Sequence, residues 1–216
     1  MKIAAAALGP FETNAYLVTA ENGKDCCVID APKGAGTLLL EEIRRQGLNL
    51  THLLLTHGHW DHMCDGHLFA AAGAEVVAHR DDQQLIENIE AYRNRYRAMM
   101  PTLADEDFRS VKVDRWADEG DAVETCGHRL EVRHVPGHCP GSLLFYAADH
   151  KVAFVGDAIF RGSVGRTDLP NGDWNQLLTS IRSRIYTLQD DVVLLPGHGG
   201  QTTVGAEKQT NPYARP

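Results

Sequence analysis

Four times along this chain an apolar run is followed closely by a residue that binds metals. The four are Leu54-Leu55-Thr56-His57, Val135-Pro136-Gly137-His138, Phe154-Val155-Gly156-Asp157 and Leu195-Pro196-Gly197-His198. Short apolar runs bounded by turn residues read as strands. If these strands lie side by side, their ends converge on one pocket, as strand ends commonly do in α/β proteins. Few folds bring four such ends together, so this pattern limits the architecture more than any other feature.

The remaining segments fill in around it. Residues 2–8, 15–20 and 25–30 read as three strands separated by turn residues such as Asn22-Gly23, which predicts an antiparallel meander. Residues 36–46 read as a helix stopped by Gly47. A short strand is expected from His52 to Thr56, a helix from His62 to Ala72 and a strand over Glu75 to Ala78. Residues 81–100 are polar, arginine-rich and helical in spacing. Strands are expected at 121–125, 129–135, 143–146, 152–155 and 192–195. Residues 173–188 carry Trp174, Leu177, Leu178, Ile181 and Ile185 at helical spacing. About ten strands and several helices give an α/β fold of mixed sheets with helices outside. With 216 residues and no linker, we expect one domain over 1–216, without a separate C-terminal helical substrate domain.

Composition narrows the function. The net charge is −8, so no basic surface is expected for nucleic acid. No apolar run approaches the roughly 18 residues of a membrane span. The apolar start ends at Gly9-Pro10, short for a signal peptide, so a cytoplasmic protein is expected. The five cysteines include no CxxC pair, which argues against a disulfide framework or an all-cysteine zinc site. Cys26 and Cys27 read as small buried hydrophobes.

The eleven histidines are the unusual count. In His57-Gly58-His59-Trp60-Asp61-His62, read as a strand end, His57 and His59 point the same way and can address one metal. Asp61 and His62 follow at the turn into a helix and can address a second. Imidazole and carboxylate donors suit zinc, iron or manganese. With His138, Asp157 and His198 the candidates number more than the four a closed structural site needs. His52, His67, His79, His128, His134 and His150 lack partner spacing and read as surface or satisfied histidines. His134 is the exception to watch, since it precedes the His138 loop.

At these residues the sequence resembles the metallo-β-lactamase fold superfamily, over nearly the whole chain. The resemblance implies an αββα sandwich of two mixed sheets flanked by helices. It also implies two divalent metals, most simply zinc. His57, His59 and His138 would hold the first; Asp61, His62 and His198 would hold the second; and Asp157 would bridge them. A water held between such metals ionises near neutral pH and acts as the nucleophile. His59 and Asp61 would then serve catalysis as well as binding. Asp30 would orient the ligand loop, or act only as a turn residue before Pro32.

Among branches of the superfamily, the best-known β-lactamases have Cys where Asp157 stands, and flavodiiron proteins have Glu where His59 stands. Transfer-RNA maturation nucleases share the ligands but use an RNA-binding arm. The chain is most similar to short bacterial hydroxyacylglutathione hydrolases, through Pro136-Gly137-His138-Cys139-Pro140-Gly141-Ser142, Gly156-Asp157 with Gly162-Ser163-Val164-Gly165-Arg166-Thr167-Asp168, and Pro196-Gly197-His198-Gly199. It departs from the long form, which has a basic C-terminal helical domain and an aromatic residue at the position of Asp168. The resemblance implies hydrolysis of a small-molecule thioester, such as a glutathione conjugate, with Arg166 meeting a substrate carboxylate. The alternative for Arg166 is an ion pair with Asp168. A second branch, the persulfide dioxygenases, shares Gly-Arg-Thr-Asp and uses one iron on the counterparts of His57, His138 and Asp157. That branch has Pro-Ala-His-Asp-Tyr where this chain has Pro-Gly-His-Gly. A third reading is a non-catalytic metal-binding or sulfur-carrier protein, for which the sequence has no positive feature. The stretch Tyr92-Arg93-Asn94-Arg95-Tyr96-Arg97 reads either as a helical lid that attracts an anion or as a solvated helix face.

Overall fold

The computed structural model describes residues 1–20 and 23–216. Asn22, expected in a turn, lies outside the described residues. The first sheet runs in spatial order through β1 (Lys2–Leu8), β2 (Thr13–Thr19), β3 (Asp25–Ile29), β4 (Asn49–Leu54), β5 (Glu75–Ala78) and β6 (Arg115–Trp116). The β1–β3 meander is antiparallel, and β3 to β6 pair in parallel. In the second sheet β7 (Ala122–Thr125), β8 (His128–His134), β9 (Leu143–Ala147) and β10 (Val152–Gly156) form antiparallel neighbours. A small separate hairpin, β11 (Ile159–Phe160) with β12 (Ser163–Val164), follows. The second sheet is completed by β13 (Val193–Pro196), parallel to β10, and β14 (Thr202–Thr203). Both sheets are mixed, as expected.

Helices α1 (Ala35–Gln46), α2 (Trp60–Met63), α3 (Gly66–Ala71), α4 (Gln83–Glu87) and α5 (Arg93–Met99) belong to the first half of the chain. The second half contributes α6 (Trp174–Ser180) and α7 (Val204–Thr210). Three apolar clusters account for the layers. One packs Leu39 and Ile43 of α1 and Phe69 of α3 under the first sheet. A second packs Leu177, Ile181 and Ile185 under the second sheet. Between the sheets, Tyr16, Ile29, Leu54, Phe145 and Phe154 form the third. The result is helix, sheet, sheet, helix. A strand covered on both faces cannot alternate, which is why Cys26-Cys27-Val28-Ile29 is apolar throughout and fully buried.

Four expectations need correction. The helix expected over 62–72 is broken between α2 and α3 at Cys64-Asp65. Asp65 turns back there to accept the amides of Gly34 and Gly36, at 2.8 and 2.9 Å. The helical stretch 81–100 divides into α4, α5 and short 3-10 turns, and the amphipathic run after Asp173 ends in a π-helical turn over Ile181–Ile185. The four ligand-bearing strands do not lie side by side. β4 is in the first sheet, and β8, β10 and β13 are in the second. Their ends still meet at one edge, where the Leu143 amide donates to the Thr56 carbonyl (2.7 Å) and the Asn14 amide to that of Gly197 (2.7 Å).

Candidate metal centre

His57, Gly58 and His59 do not continue a strand, as the spacing argument required; they form the loop between β4 and α2. What turns their rings toward each other is loop geometry backed by Asp82. This carboxylate is buried, accepts the Gly58 amide at 2.8 Å and the Gly141 amide at 2.7 Å, and takes the Cys139 thiol at 3.1 Å. It thus ties the His57–His59 loop to the loop that carries His138. Both glycines permit the approach: a Cβ on Gly58 would stand 3.0 Å from Asp82 Cβ, and one on Gly141 only 2.6 Å from Asp82 Cγ. Sequence reading missed Asp82, because no spacing signal links it to partners 24 and 57 residues away.

The structure brings all seven sequence-predicted ligands together in two sets. In the first, His57 Nε2 lies 3.1 Å from His59 Nδ1 and 3.2 Å from His138 Nε2, and His138 Nε2 lies 2.9 Å from His59 Nδ1. Neighbouring groups decide the tautomers. His138 Nδ1 donates to the Arg166 carbonyl at 2.7 Å. Thr56 Oγ1 donates to Asp30 at 2.8 Å, so it accepts from His57 Nδ1 at 3.1 Å. Both Nε2 atoms therefore carry lone pairs aimed at the same point. A tetrahedral ion with nitrogen ligands at 2.0–2.1 Å has a ligand–ligand edge of about 3.3 Å, close to the observed triangle. Two lone pairs and the third ring nitrogen of His59, converging at this spacing, fit a cation.

The second set has Asp61, His62 and His198. His62 Nδ1 lies 2.8 Å from Asp30 Oδ2, and His198 Nδ1 donates to the Phe11 carbonyl at 3.0 Å. The Nε2 atoms face inward: His62 is 3.5 Å from Asp61 and 3.4 Å from Asp157, while His198 is 3.3 Å and 3.4 Å from the same two carboxylates. Asp157 stands between the sets, its Oδ2 reaching both His198 Nε2 and His138 Nε2 (3.6 Å). His62 Nε2 and Asp157 Oδ1 are buried without a hydrogen-bond partner. Buried atoms left without a protein partner, facing one another across the cluster, are what a pair of metal ligands presents. The donors therefore fit two divalent metals, with Asp157 placed to touch both.

Asp30 settles between its two sequence readings as more than a turn residue. It takes the unusual φ of 59° at the end of β3 and spends both oxygens on Thr56 and His62. Such a conformation in a non-glycine residue persists only where surroundings hold it. Thr13 adds a hydroxyl hydrogen bond to Asp61 at 2.8 Å.

Electrostatics follow from crowding. Burial, then neighbouring His62, hold the His57 imidazole far below its ordinary pKa, and burial with His138 brings His59 down to about 3. Burial also opposes charge on His198, but Asp157 and Asp61 outweigh it and raise its pKa to about 10. His62 is likewise raised, burial being overcome by Asp157, Asp61 and Asp30. Asp61 is held at about 2 and Asp157 well below its ordinary value, because His62 and His198 outweigh burial in both. Without metal, the second set is thus a tight ring of imidazolium and carboxylate.

His79, Asp118 and His134 form another cluster. There the Asp81 amide donates into His79 Nδ1 at 3.1 Å, so the proton sits on Nε2, which faces Asp118 at 3.4 Å. A protonated nitrogen is no ligand, and His134 Nε2 is satisfied by the Pro140 carbonyl at 2.7 Å. The five cysteines are free and buried. Among the described residues no helix is long and apolar enough to cross a membrane.

Five of the seven, His59, Asp61, His138, Asp157 and His198, line a cleft of about 400 Å³ with an apolar wall that includes Phe11, Leu85, Tyr92, Tyr96 and Met99, while His57 and His62 lie buried behind them. Arg166 also lines it, but its Nε and Nη2 each lie 2.7 Å from the Asp168 carboxylate. The ion pair weighed from sequence is present.

A two-sheet sandwich with a paired histidine–carboxylate centre at one sheet edge is the arrangement of the metallo-beta-lactamase superfamily, whose sequence profile matches residues 8–198. This chain belongs to that superfamily of metallo-hydrolases, whose fold binds divalent metals. Among relatives, it is 37% identical to the hydroxyacylglutathione hydrolase GloC of Haemophilus influenzae, over 94% of this chain and 93% of that protein. Among solved structures, it resembles the B3 metallo-beta-lactamase BLEG-1 with a TM-score of 0.88 and 30% identity, covering 99% of each chain. It also resembles TTHA1623 in a di-iron-bound form, with a TM-score of 0.83 and 35% identity over 97% of this chain and 99% of that one.

Proposed function

We propose that the chain is a binuclear metal-dependent hydrolase of small-molecule thioesters, with a glutathione conjugate such as S-lactoylglutathione as the leading substrate. The observation that carries the reading is the pair of converging donor sets sharing Asp157 at the floor of the cleft. His57, His59, His138 and Asp157 would hold one ion, and Asp61, His62, His198 and Asp157 the other. Zinc is the simplest occupant, and iron suits the same donors. Two such ions lower the pKa of water toward about 7 and polarise a carbonyl oxygen.

The chain's own residues do the rest. Asp30, Thr56 and the carbonyls of Phe11 and Arg166 fix the tautomers of His62, His57, His198 and His138, so that these four rings present lone pairs. Asp61 would orient the attacking water as well as hold metal, and His59, at the cavity surface, would align the first ion with the carbonyl. The apolar wall excludes bulk water from the reacting carbonyl. A thiolate leaves with a pKa near 8.5 and needs no proton donor. An amide nitrogen would need one, and beyond the candidate ligands the cavity carboxylates supply none. The likeness to GloC supports the glutathione thioester.

The test is S-lactoylglutathione hydrolysis and metal analysis on one sample, with arms for oxygen uptake on glutathione persulfide and for β-lactam hydrolysis. About two metals per chain with thioester turnover, abolished in Asp61→Ala and His59→Ala that remain folded, is the expected result. Near-wild-type turnover in either variant would refute the residue assignments. One iron per chain with oxygen uptake would replace the reading by the dioxygenase.

A further inference from the structure

Helix α5 carries three arginines, and the structure separates them. Arg93 and Arg97 share Asp105, at 3.5 and 2.9 Å. Arg97 also donates to the Leu103 carbonyl at 3.1 Å and lies over the Phe108 ring at 5.8 Å. Both are held away from the cleft. Arg95 makes no ion pair or hydrogen bond among the described residues and lines the cleft. Tyr92, Arg95, Tyr96 and Met99 fall at i, i+3, i+4 and i+7, one face of a helix, and all four line the same cavity as His59 and Asp61. That face is fixed to the metal loop, since the Trp60 amide donates to the Tyr96 hydroxyl at 3.2 Å. The other cavity guanidinium, Arg166, already has its fork on Asp168.

We propose that Arg95 reads a carboxylate on the substrate, and that the stretch between this carboxylate and the thioester lies along Tyr92, Tyr96 and Met99. The proposal rests on the thioester-hydrolase reading and names its substrate class: a thioester with an anionic group at its non-reacting end. A guanidinium with all its donors free can take a carboxylate in bidentate fashion. The need is physical as well. A chain of net charge −8 repels an anion at long range, so a cation at the mouth of the cleft decides whether an anionic ester enters. The carboxylate could lie on the thiol side or the acyl side, and the assay separates the two.

The experiment uses metal-loaded protein and three esters. S-lactoylglutathione carries carboxylates on the thiol side, S-succinyl-N-acetylcysteamine carries one on the acyl side, and S-lactoyl-N-acetylcysteamine carries none. In Arg95→Gln the preference for a charged over the uncharged ester, as a ratio of kcat/KM, should fall roughly ten-fold, through KM and not kcat. Arg95→Lys should restore most of it. Arg93→Gln removes the same charge from the same helix, away from the cleft, and should leave the ratio within about two-fold. The ester that loses its advantage identifies the side that carries the anion. An unchanged ratio for both charged esters, or an equal loss in Arg93→Gln, overturns the proposal while leaving the hydrolase intact. If no ester is hydrolysed, the hydrolase reading fails by itself. Calorimetric binding of S-hexylglutathione (thiol-side carboxylates) and of the then unhydrolysed S-succinyl-N-acetylcysteamine (acyl-side carboxylate) decides for Arg95: roughly ten-fold weaker binding of either in Arg95→Gln upholds it, and equal or undetectable binding of both overturns it.

Discussion

Replacing Asp82 should damage a metal centre that it never touches. The carboxylate is 1% exposed and accepts two backbone amides, one from each ligand loop, and the Cys139 thiol. Burial raises its pKa, although the Cys139 thiol and the Gly58 and Gly141 amides pull the other way. Asp82→Ala leaves both amides buried and unpaired, at about 1–3 kcal/mol each, so a loss of about 2–6 kcal/mol is expected. Asp82→Asn keeps the shape but turns an NH2 toward one of the amides. One amide stays satisfied, the other meets a donor, and relief from burying a charge offsets part of the cost, giving about 1–3 kcal/mol. The larger consequence is positional. Gly58 lies between His57 and His59, and Gly141 lies just beyond His138, so the Asn variant should loosen the first donor set and weaken its metal affinity about 10–100-fold. The second set, built on Asp30 and Phe11, should change less. Urea unfolding of the metal-free variants and metal titration with a competing chelator measure both effects. An Asp82→Asn protein that fills its first site with wild-type affinity would refute the buttress, whatever its stability.

Other consequences are more local. Asp30→Asn should cut metal affinity about 10–100-fold in both sets while the fold persists, since Asp30 steers His62 directly and His57 through Thr56; metal content after dialysis with circular dichroism as control checks this. Gly197→Ala should lose the second metal, because a Cβ there would run into Asp157 Oδ1 and His62 Cε1; metal stoichiometry near one or below, in a folded protein, is the expected reading. The metal-free protein should be destabilised by base. His198 is raised from 6.5 to about 10, so its contribution is full below pH 6.5 and is lost as pH rises through about 10. Asp61, lowered from 3.8 to about 2, contributes above pH 3.8 and is lost as pH falls through about 2. Unfolding free energies from pH 3 to 10 in chelator should therefore decline on the alkaline side, and a flat alkaline limb would contradict the imidazolium–carboxylate ring.

The residues legible in the sequence were those whose chemistry is local. His57 to His62 is a compact block, and His138, Asp157 and His198 each follow an apolar run, so pattern alone could gather them. The two-layer arrangement of their strands was not legible. Nothing in Leu54-Leu55-Thr56-His57 distinguishes a strand of one sheet from a strand of the facing one, because both are covered on two faces and read as plain apolar runs. Short pairings such as β6, β11, β12 and β14, two residues each, carry no periodicity to detect. The same blindness hid Asp82, and it left the arginines of α5 as an undivided basic stretch. Only the partner supplied by Asp105, downstream in the chain, reveals which of them face away from the cleft.

The division of the donors between sheets bears on why such a centre is built at an edge. Each set draws on both halves: His57 and His59 with His138, and Asp61 and His62 with His198, while Asp157 comes from the second sheet to serve both. Ion binding therefore clamps one sheet to the other, and its free energy adds to the stability of the pair. The clamp does not have to create the sandwich. Tyr16 donates its hydroxyl to the Pro196 carbonyl at 2.7 Å, Asn14 donates its side-chain amide to the same carbonyl at 2.9 Å, and Tyr16 packs edge-on to Phe154. These contacts hold the edge in register without any of the metal donors taking part. A centre whose donors are held by the fold in this way would not need the ions to close their coordination shells. A structural zinc site, which must close its coordination shell to hold a fold together, has no such freedom. In the proposed hydrolase, the fold's own cross-sheet contacts would thus leave the metals free for chemistry.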